Sequence, residues 1–371
     1  MSMIEYEQYN SDVKTVARLA LPWEKLRKKE LLITGATGLI GSFLIDVLME
    51  RNRAYANEIN IRAAGRNPEK ARSRFGDQGI VMENERAGDF GRLFFKQWDV
   101  TMPLSEDELA YDYIIHGASN THPRAYAGDP VGTITGNVTG LLNLMEHARK
   151  KRPQRVLLMS SVEIYGENVQ AVPAFEEGDL GYIDCNTVRA GYPESKRLCE
   201  SICQAYAAQY QVEFVTGRFS RVYGPTMQAD DSKALAQFIR DAVNSRDIVL
   251  KSEGKQLYSY TYVADAVSAL LFLLLKGRAC EAYNIADPRS DLTLKELAGL
   301  LAGLAGTRVV YELPDEQELA GYSTATHAVL NAAKLKSLGW DAKFPIETGL
   351  AHTVEILKDA AGPHRDNNGE E

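Results

Sequence analysis

The amino-acid sequence predicts an α/β protein built on a doubly wound parallel sheet of the Rossmann type, with a smaller region towards the C-terminus. An apolar run at residues 31–34 leads directly into a glycine-rich turn, and an amphipathic helical pattern follows it. Strand-like and helical segments then alternate as far as about residue 224, which is typical of a parallel sheet. Beyond that point the alternation loosens and helical patterns dominate.

The composition is that of an ordinary globular protein, with 45% apolar and 25% charged residues in 371. A formal net charge of −8 gives no general attraction to nucleic acid or to an anionic membrane surface. The longest apolar run, residues 267–275, is too short to span a bilayer, and the polar N-terminus does not resemble a signal peptide. The four cysteines form no C-x-x-C pair. We therefore expect a cytoplasmic protein with a small-molecule partner, no nucleic acid or membrane partner and no metal.

The glycine-rich turn contains Gly35, Gly38 and Gly41, spaced three residues apart between the first strand and the first helix. Glycines permit a sharp turn and a close approach of the backbone to a pyrophosphate, and the helix N-terminus points its N–H groups at the negative charge. The spacing differs from the dinucleotide fingerprint G-x-G-x-x-G. The flanking strand and helix nevertheless favour dinucleotide binding over a plain glycine turn, with Thr37 and the backbone of residues 39–40 in the same binding turn.

The second strand-like run, residues 59–64, ends at a position that distinguishes NAD from NADP. An acidic residue there holds the ribose hydroxyls of NAD, whereas a nearby arginine accommodates the 2′-phosphate of NADP. Gly65 stands where the acid would be, Arg66 follows it, and Lys70 lies one helical turn on. We expect NADP in preference to NAD; the alternative is that Arg66 and Lys70 are solvated surface charges.

The remaining pattern completes the alternation and then becomes irregular. Further strands are predicted at 94–100, 113–118, 155–161 and 212–219, with helices at 131–150 and 192–210. The later part is predicted to hold short strands at 248–250 and 258–262 and helices at 234–245, 265–276, 293–305 and 330–338.

We therefore divide the chain into four parts. Residues 1–30 are expected to be an N-terminal extension that adds little to the fold, and residues 31–224 an NAD(P)-binding Rossmann domain that also carries catalytic groups. Residues 225–360 are expected to be mainly substrate-binding. Residues 361–371 are rich in Gly, Asn and Glu, which predicts a disordered tail.

Two short stretches after the fifth strand carry the candidate chemistry. Tyr192 and Lys196 lie four residues apart on a predicted helix and so share a face. An ammonium and an oxidised nicotinamide beside a phenol favour the phenolate, which can take a proton from a sugar hydroxyl. Ser161 ends the fifth strand, where a hydroxyl can bond the reacting oxygen, and Glu163 could be an acid or base. The alternatives are a surface Tyr–Lys pair and ordinary turn chemistry.

The glycine turn, Ser161 and Tyr192-x-x-x-Lys196, in this order, resemble the extended short-chain dehydrogenase/reductases. Within that group the chain resembles the NAD-dependent epimerase/dehydratase family of nucleotide-sugar enzymes over about residues 30–355. Further matching stretches are Asp99-Val100, His116–Ser119, Asn137–Gly140, Arg218–Pro225, Tyr262–Asp265, Tyr283–Ile285, Leu338–Trp340 and Gly349-Leu350.

The resemblance implies a role for each catalytic residue. Tyr192 would be the base that oxidises the sugar, usually at C4, as hydride passes to the nicotinamide. Lys196 would hold the nicotinamide ribose and lower the pKa of Tyr192, and Ser161 would hydrogen-bond the C4 oxygen. The 4-keto sugar then acidifies neighbouring C–H bonds and destabilises a C5 carboxylate, and the cofactor is regenerated within one turnover. Family members are often dimers through a bundle that includes the Tyr192 helix, so a homodimer is expected.

The cofactor- and substrate-binding residues follow from the same match. The residues expected at the cofactor are Gly35, Thr37, Gly38, Leu39, Ile40, Gly41, Arg66, Asp99, Val100, Gly117, Ala118, Lys196, Phe219 and Val222. The residues expected at the substrate are Ser119, Asn120, His122, Arg221, Lys233 and Tyr258.

The reaction that follows oxidation is open to several outcomes. An epimerase is the favoured one. Ser161–Gly166 resembles the decarboxylase and dehydratase pattern with Glu at its third place, and residues 116–133 and 218–238 align without gaps on UDP-glucuronate decarboxylases. The 4,6-dehydratases usually carry Asp where this chain has Val162, which argues against 4,6-dehydration. A decarboxylase-like or dehydratase-like enzyme, and an NADP-dependent reductase of a non-nucleotide carbonyl, are the alternatives.

Two departures from the family concern the substrate side. Many nucleotide-sugar enzymes have Asn where this chain has Arg221, and that Asn contacts the substrate diphosphate. Many, including the decarboxylases, have Arg at the position of Tyr258. We therefore expect the arginine to have moved from one side of the substrate site to the other, where Arg221 meets the diphosphate together with Lys233. The same change could instead mark a different substrate.

Overall fold

The computed structural model describes residues 2–82, 91–121, 128–312 and 325–362. Its strands are β1 (Glu30–Thr34), β2 (Asn60–Gly65), β3 (Val81–Met82), β4 (Leu93–Gln97), β5 (Tyr113–His116), β6 (Arg155–Ser161), β7 (Phe214–Phe219), β8 (Arg221–Tyr223), β9 (Ile248–Leu250), β10 (Leu257–Tyr262), β11 (Glu281–Ile285), β12 (Asp291–Thr293), β13 (Val309–Tyr311) and β14 (His327–Ala328). Its α-helices are α1 (Glu7–Ala17), α2 (Leu39–Tyr55), α3 (Pro68–Phe75), α4 (Pro130–Lys151), α5 (Gly191–Tyr210), α6 (Ala234–Val243), α7 (Val263–Lys276), α8 (Leu294–Ala305), α9 (Ala333–Lys336) and α10 (Ile346–Ala361).

Within these residues, eight parallel strands form the central sheet in the order β11-β7-β6-β5-β1-β2-β4-β3. The inner strands are apolar because helices cover both faces of a doubly wound sheet. Alternate side chains of one strand enter opposite layers: Leu31 and Ile33 pack in one core cluster, whereas Leu32 packs in the other. Helix α2 contributes to the first cluster, and α4 and α5 contribute to the second. The predicted doubly wound parallel sheet is confirmed.

Two smaller sheets stand on the C-terminal side of the molecule. Strand β10 is central to one of them and pairs with β8, β12 and β14. Strands β9 and β13 form a separate parallel pair. Strand β11, although late in sequence, returns to the edge of the main sheet beside β7. The chain after residue 224 therefore contributes both to the smaller sheets and to the central one.

The N-terminal segment differs from its expectation as a peripheral extension. Helix α1 packs against α2, α7 and α10, and it buries Tyr9, Val13 and Val16 almost completely. The Tyr9 hydroxyl bonds the buried carboxylate of Asp46 on α2. These partners lie far away in the sequence, so the pattern of residues 1–30 alone carried no sign of them. The segment is an integral part of the core.

Asp12 extends the same contact to the C-terminal part of the chain. Its buried carboxylate accepts hydrogen bonds from the Tyr262 hydroxyl at 2.7 Å and from Gln8 Nε2 at 3.0 Å, and lies 3.1 Å from His352 Nδ1. Tyr262 belongs to β10 and His352 to α10. Helix α1 thus contacts the helix that follows the glycine-rich turn and also the strand that carries Tyr258.

One predicted helix is much shorter than expected. The pattern predicts a helix over 330–338, but α9 covers only Ala333–Lys336. Phe175 forms a parallel bridge with Leu330, and the backbone N–H of Asn331 donates to the Phe175 carbonyl at 2.9 Å, which holds this segment extended. Gly339 then adopts a φ of +91°.

Among the described residues, no helix is both long and apolar enough to cross a membrane.

The contacts of α1 lead to a stability prediction. Replacing Asp12 with Ala leaves the buried Tyr262 hydroxyl without its acceptor, so Asp12→Ala should lower the free energy of unfolding by about 1–3 kcal/mol. Urea unfolding followed by far-ultraviolet circular dichroism measures this loss. Ser11→Ala, at an exposed position of the same helix, is the control and should leave stability unchanged or slightly higher. Equal stability of the Asp12→Ala and wild-type proteins would show that the Asp12–Tyr262 hydrogen bond does not stabilise the fold.

Candidate active site

The site lies where the strand order reverses in the central sheet. Strand β1 is flanked by β2 on one side and by β5 on the other, so the turns that follow β1 and β5 diverge at this point. Ligands of open parallel sheets bind in the crevice outside the carboxyl ends of such strands. A cavity of about 1330 Å³ opens there. Its walls come from the glycine-rich turn, from the ends of β5 and β6, from α5, and from β8 to β10.

The glycine-rich turn is packed so closely that side chains are excluded at its first and third glycines. Gly35 adopts a φ of +71°, and a Cβ there would lie 2.6 Å from the Gly117 carbonyl atoms. A Cβ on Gly41 would lie 2.4 Å from the Gly35 oxygen. The turn therefore offers bare backbone and the N-terminus of α2 to the cavity, which fits a pyrophosphate. These residues suit the dinucleotide that the sequence predicts.

A buried pair beneath this turn fixes the neighbouring loop. The Thr34 hydroxyl accepts hydrogen bonds from the backbone N–H groups of Gly117 and Ala118, both at 3.2 Å. It also contacts His116 Nδ1 at 2.8 Å. Burial, with a smaller contribution from Lys196, lowers the pKa of His116 to about 3, so the imidazole is neutral at physiological pH. The pair holds the loop after β5 against the loop after β1.

Arg66 and Asp99 lie at one end of the cavity, beyond the C-terminal ends of β2 and β4. Hydrogen bonds from the Thr101 backbone and hydroxyl hold the pKa of Asp99 below its usual value, and the charge of Arg66 lowers it further. Lys70 bonds the side chain of Gln228, whose amide donates to the Thr37 carbonyl at 3.1 Å. Arg66 is exposed and reaches the cavity, so its guanidinium is accessible to a ligand there.

Ser161, Tyr192 and Lys196 lie together on the same wall. Ser161 ends β6, and its oxygen accepts the Glu163 backbone N–H at 3.2 Å. Its side chain is also hydrogen-bonded to Tyr192, which lies in the first turn of α5 and is 6% exposed. Lys196, one turn further along α5, has its ammonium 5.9 Å from the centroid of the Tyr192 ring. The three side chains predicted to act together are therefore neighbours.

Burial dominates the ionisation of this group. It raises the pKa of Tyr192 to about 12, whereas the Ser161 hydrogen bond and the charge of Arg189 lower that pKa and the charge of Glu163 raises it. Burial also lowers the pKa of Lys196, whose ammonium donates to the Met159 carbonyl at 3.0 Å. Burial thus outweighs the Ser161 hydrogen bond and the charge of Arg189, because the phenol is shielded from water.

Glu163 does not stand alone in the cavity wall. Arg189 Nη2 lies 2.6 Å from one of its carboxylate oxygens, and Arg221 Nη2 lies 3.9 Å from the other. Arg189 belongs to a single 3-10 turn, Val188–Ala190, directly before α5. Its charge and its position beside Tyr192 escaped prediction, because a single arginine three residues before a tyrosine carries no recognisable pattern. Glu163, which the sequence offered as an acid or base, is therefore already paired with Arg189.

The arginine was expected to have moved from the Tyr258 side of the substrate site to the opposite side. The structure instead places the Arg221 guanidinium beside Tyr258. Strands β8 and β10 are paired neighbours, with Arg221 opposite Tyr260. The Arg221 guanidinium carbon lies 3.4 Å from the centroid of the Tyr258 ring, a cation–π contact. The positive charge therefore stands directly over the tyrosine that takes the place of the family's arginine. Within the described residues, Arg221 Nη1 and the Tyr260 hydroxyl are buried without a hydrogen-bond partner.

The other predicted substrate residues are placed as follows. Ser119 and Asn120 line the cavity, and the Asn120 amide donates to the Thr133 hydroxyl at 3.1 Å. Lys233 also lines it, but its ammonium lies 3.2 Å from an Asp231 carboxylate oxygen and is therefore partly neutralised. His122 lies outside the described residues. The cavity is also lined by the predicted cofactor residues Thr37, Gly38, Leu39, Ile40, Val100, Gly117, Ala118, Phe219 and Val222.

Comparison with known proteins assigns the chain to a family. Residues 31–286 match the NAD dependent epimerase/dehydratase family. UDP-glucuronic acid decarboxylase 5 of Arabidopsis thaliana is 30% identical over 350 residues, which cover 90% of this chain and 91% of the relative. UDP-glucuronic acid decarboxylase 1 of Danio rerio is 30% identical over 331 residues, which cover 89% of this chain and 73% of the relative.

Solved structures share the fold. UDP-glucose 4-epimerase of Thermotoga maritima, solved with UDP-glucose, superposes with a TM-score of 0.72 at 23% identity, covering 90% of this chain and 99% of that one. dTDP-glucose 4,6-dehydratase of Streptomyces venezuelae, solved with NAD bound, gives a TM-score of 0.73 at 22% identity, covering 90% of this chain and 98% of that one.

Proposed function

The chain belongs to the NAD-dependent epimerase/dehydratase family, and we propose that it is an NAD(P)-dependent enzyme that oxidises the C4 hydroxyl of a nucleotide sugar to a transient ketone. The observation that carries this proposal is the convergence of Ser161, Tyr192 and Lys196 on the cavity above the glycine-rich turn. A non-catalytic cofactor-binding protein has no need of such a group. The relatives' names, which all refer to a nucleotide sugar, support the same substrate class.

In this proposal the backbone of the glycine-rich turn would hold the cofactor pyrophosphate, Asp99 and Val100 would contact the adenine, and Lys196 would hold the nicotinamide ribose. When bound, the oxidised nicotinamide would supply a reversible hydride acceptor for the sugar carbon. Tyr192 takes the hydroxyl proton, and Ser161 hydrogen-bonds the same oxygen. Positive charge beside the phenol offsets the burial that raises its pKa, so the base forms most readily in the loaded enzyme.

Epimerisation is the outcome that requires the fewest additional groups. Once the ketone exists, it must present its opposite face to the cofactor; return of the hydride to that face, with the Tyr192 proton returned to the oxygen, inverts C4 and completes the reaction. Val162 occupies the position where dehydratases carry an acid for the leaving hydroxyl, and it is buried in the cavity wall. We therefore propose an epimerase and exclude ordinary 4,6-dehydration from the proposal.

Decarboxylation of a uronic acid is the second candidate. It is favoured by the arginines that flank Glu163, since a carboxylate at C5 of the sugar needs a cation, and by the stacking of Arg221 on Tyr258. That stacking returns a positive charge to the place where the decarboxylases carry arginine. The named relatives, both UDP-glucuronic acid decarboxylases, support this candidate. A ketone at C4 makes the C5 carboxylate a β-keto acid, which loses carbon dioxide readily.

We further propose how the substrate and a second copy of the chain bind. We propose that Arg221 Nη1 and the Tyr260 hydroxyl, which have no hydrogen-bond partner among the described residues, bind the substrate diphosphate. Lys233 would contribute less, because its ammonium is paired with Asp231. Exposed apolar side chains on α4 and α5, namely Val131, Ile134, Leu142 and Leu198, support a homodimer through these helices. Unpaired cysteines support a cytoplasmic location.

A panel of UDP-, dTDP-, GDP- and CDP-sugars, including uronic acids, tests this proposal. After incubation with NADP or NAD, we expect one nucleotide sugar to be converted with no net consumption of cofactor. Mass spectrometry then distinguishes the outcomes: unchanged mass with a new stereoisomer means epimerisation, and loss of carbon dioxide means decarboxylation. Loss of water, or stoichiometric reduction of the added cofactor, would contradict both candidates.

A variant that lacks the proposed base, Tyr192→Phe, is the control for this assay. Tyr192→Phe removes the phenolic oxygen from a residue that is otherwise buried, so we expect turnover to fall by about 100-fold or more. Binding of the cofactor, measured by calorimetry, should survive. Near-normal turnover by Tyr192→Phe would show that another group takes the proton.

Arg66 provides the test of cofactor choice. Because a charge-assisted pair with a 2′-phosphate is lost, Arg66→Asp should weaken NADP binding by about tenfold or more relative to NAD. The two dissociation constants are measured by calorimetry for each protein. Arg72→Asp, exposed on α3 and absent from the cavity lining, is the matched control and should leave their ratio unchanged. An equal loss of both cofactors in Arg66→Asp would mean that this residue does not contact the 2′-phosphate.

A further inference from the structure

An ion pair joins the two chain segments that carry the proposed reactive side chains. Glu163 stands two residues after Ser161, and Arg189 stands three residues before Tyr192. Their side chains meet at 2.6 Å, and each is about one fifth exposed, 21% for Glu163 and 23% for Arg189. The Glu163 backbone N–H also donates to the Ser161 hydroxyl oxygen. The end of β6 is therefore linked to the start of α5 by a charged contact and not only by packing.

The surroundings of the Tyr192 phenol show why this contact matters. Ser161 and Glu163 face it from the end of β6 and the turn that follows, Arg189 faces it from the turn before α5, and Lys196 and Cys199 lie on its own helix. The phenol is almost fully buried, so nearby charges act on it with little screening. The charges of Glu163 and Arg189 displace the pKa of Tyr192 in opposite directions, upward and downward.

We propose that Arg189 is a positioning residue for the reaction: it compensates the carboxylate of Glu163 beside Tyr192 and holds the Ser161 segment against the Tyr192 helix. This inference rests on the proposed role of Tyr192 as base. Without Arg189, the phenol would lose a proton in the presence of an uncompensated carboxylate. Arg221 does not form an equivalent pair with Glu163. Its guanidinium lies over the Tyr258 ring and is 3.9 Å from the Glu163 carboxylate, against 2.6 Å for Arg189.

The proposal also assigns Glu163 a role that differs from that of a free acid or base. The Glu163 carboxylate forms a short charge-assisted contact with the Arg189 guanidinium at 2.6 Å. This contact can orient Arg189, and through Arg189 the turn before α5. A substrate in contact with Glu163 would meet a carboxylate that is already paired with Arg189.

Neutralising Arg189 and Glu163, singly and together, tests directly how each charge affects the ionisation of Tyr192. We would prepare the cofactor-loaded protein as wild type, Arg189→Met, Glu163→Gln and the double variant, each with a Tyr192→Phe counterpart. The ultraviolet difference spectrum between each protein and its counterpart isolates the phenolate of Tyr192, and it is recorded against pH. The matched control is Arg53→Met, which breaks a similar arginine–carboxylate pair with Glu50 on α2, away from the cavity lining.

We expect Arg189→Met to reduce the ionised fraction of Tyr192 about tenfold at a given pH, because one uncompensated charge in a poorly screened site displaces the equilibrium by about one pH unit. Glu163→Gln should increase that fraction. The double variant should return to within about threefold of wild type, since neither charge is then present. Arg53→Met should leave the titration unchanged, and Arg189→Lys, which keeps the charge, should stay close to wild type.

An unchanged titration in Arg189→Met would overturn the proposal, and so would a double variant that titrates like Arg189→Met. If Arg189→Met does not fold, Glu163→Gln and Arg189→Lys carry the same test, because Glu163→Gln must still increase the ionised fraction. The readout needs no substrate, so it is independent of which nucleotide sugar is converted. Failure of the sugar panel with a responsive titration would contradict the proposed function alone.

Discussion

The site depends on the close approach of two backbone turns at the point where the strand order reverses. A Cβ at Gly35 would fall within 2.6 Å of the Gly117 carbonyl, and a Cβ at Gly41 within 2.4 Å of the Gly35 oxygen. Only bare backbone permits this contact, and the Thr34 hydroxyl secures it from below. The cavity and the exposed N-terminus of α2 both follow from this constraint, because the crevice opens where these turns diverge.

Charge in the substrate part of the cavity is organised by pairing between neighbouring strands and turns. Arg221 on β8 places its guanidinium over Tyr258 on β10, so a cation remains where the family's arginine would stand even though the residue that carries it has changed strand. Arg189 bonds one carboxylate oxygen of Glu163, and Arg221 lies 3.9 Å from the other. The Tyr192 phenol therefore lies beside two opposite charges whose effects on its pKa oppose each other.

Local patterns predicted the doubly wound sheet and many of the residues that line the cavity. Strand β6 and strand β9 match their predicted bounds, because apolar runs between turn residues identify buried parallel strands directly. The glycine turn and Tyr192 were found because their chemistry depends on short spacing. The role of residues 1–30 and the pairing of Glu163 with Arg189 were not predictable, since both depend on contacts between distant segments. The shortened helix at 333–336 was missed for the same reason.

In the proposed reaction Tyr192 takes the proton of a sugar hydroxyl while hydride leaves the carbon that bears it. This step can be followed by rapidly mixing the enzyme, loaded with oxidised cofactor, with its nucleotide sugar carrying either hydrogen or deuterium at C4. We expect a transient absorbance of reduced nicotinamide that rises more slowly with deuterium. Conversion of the sugar with no reduced-cofactor transient, or a rise that deuterium at C4 does not slow, would contradict it.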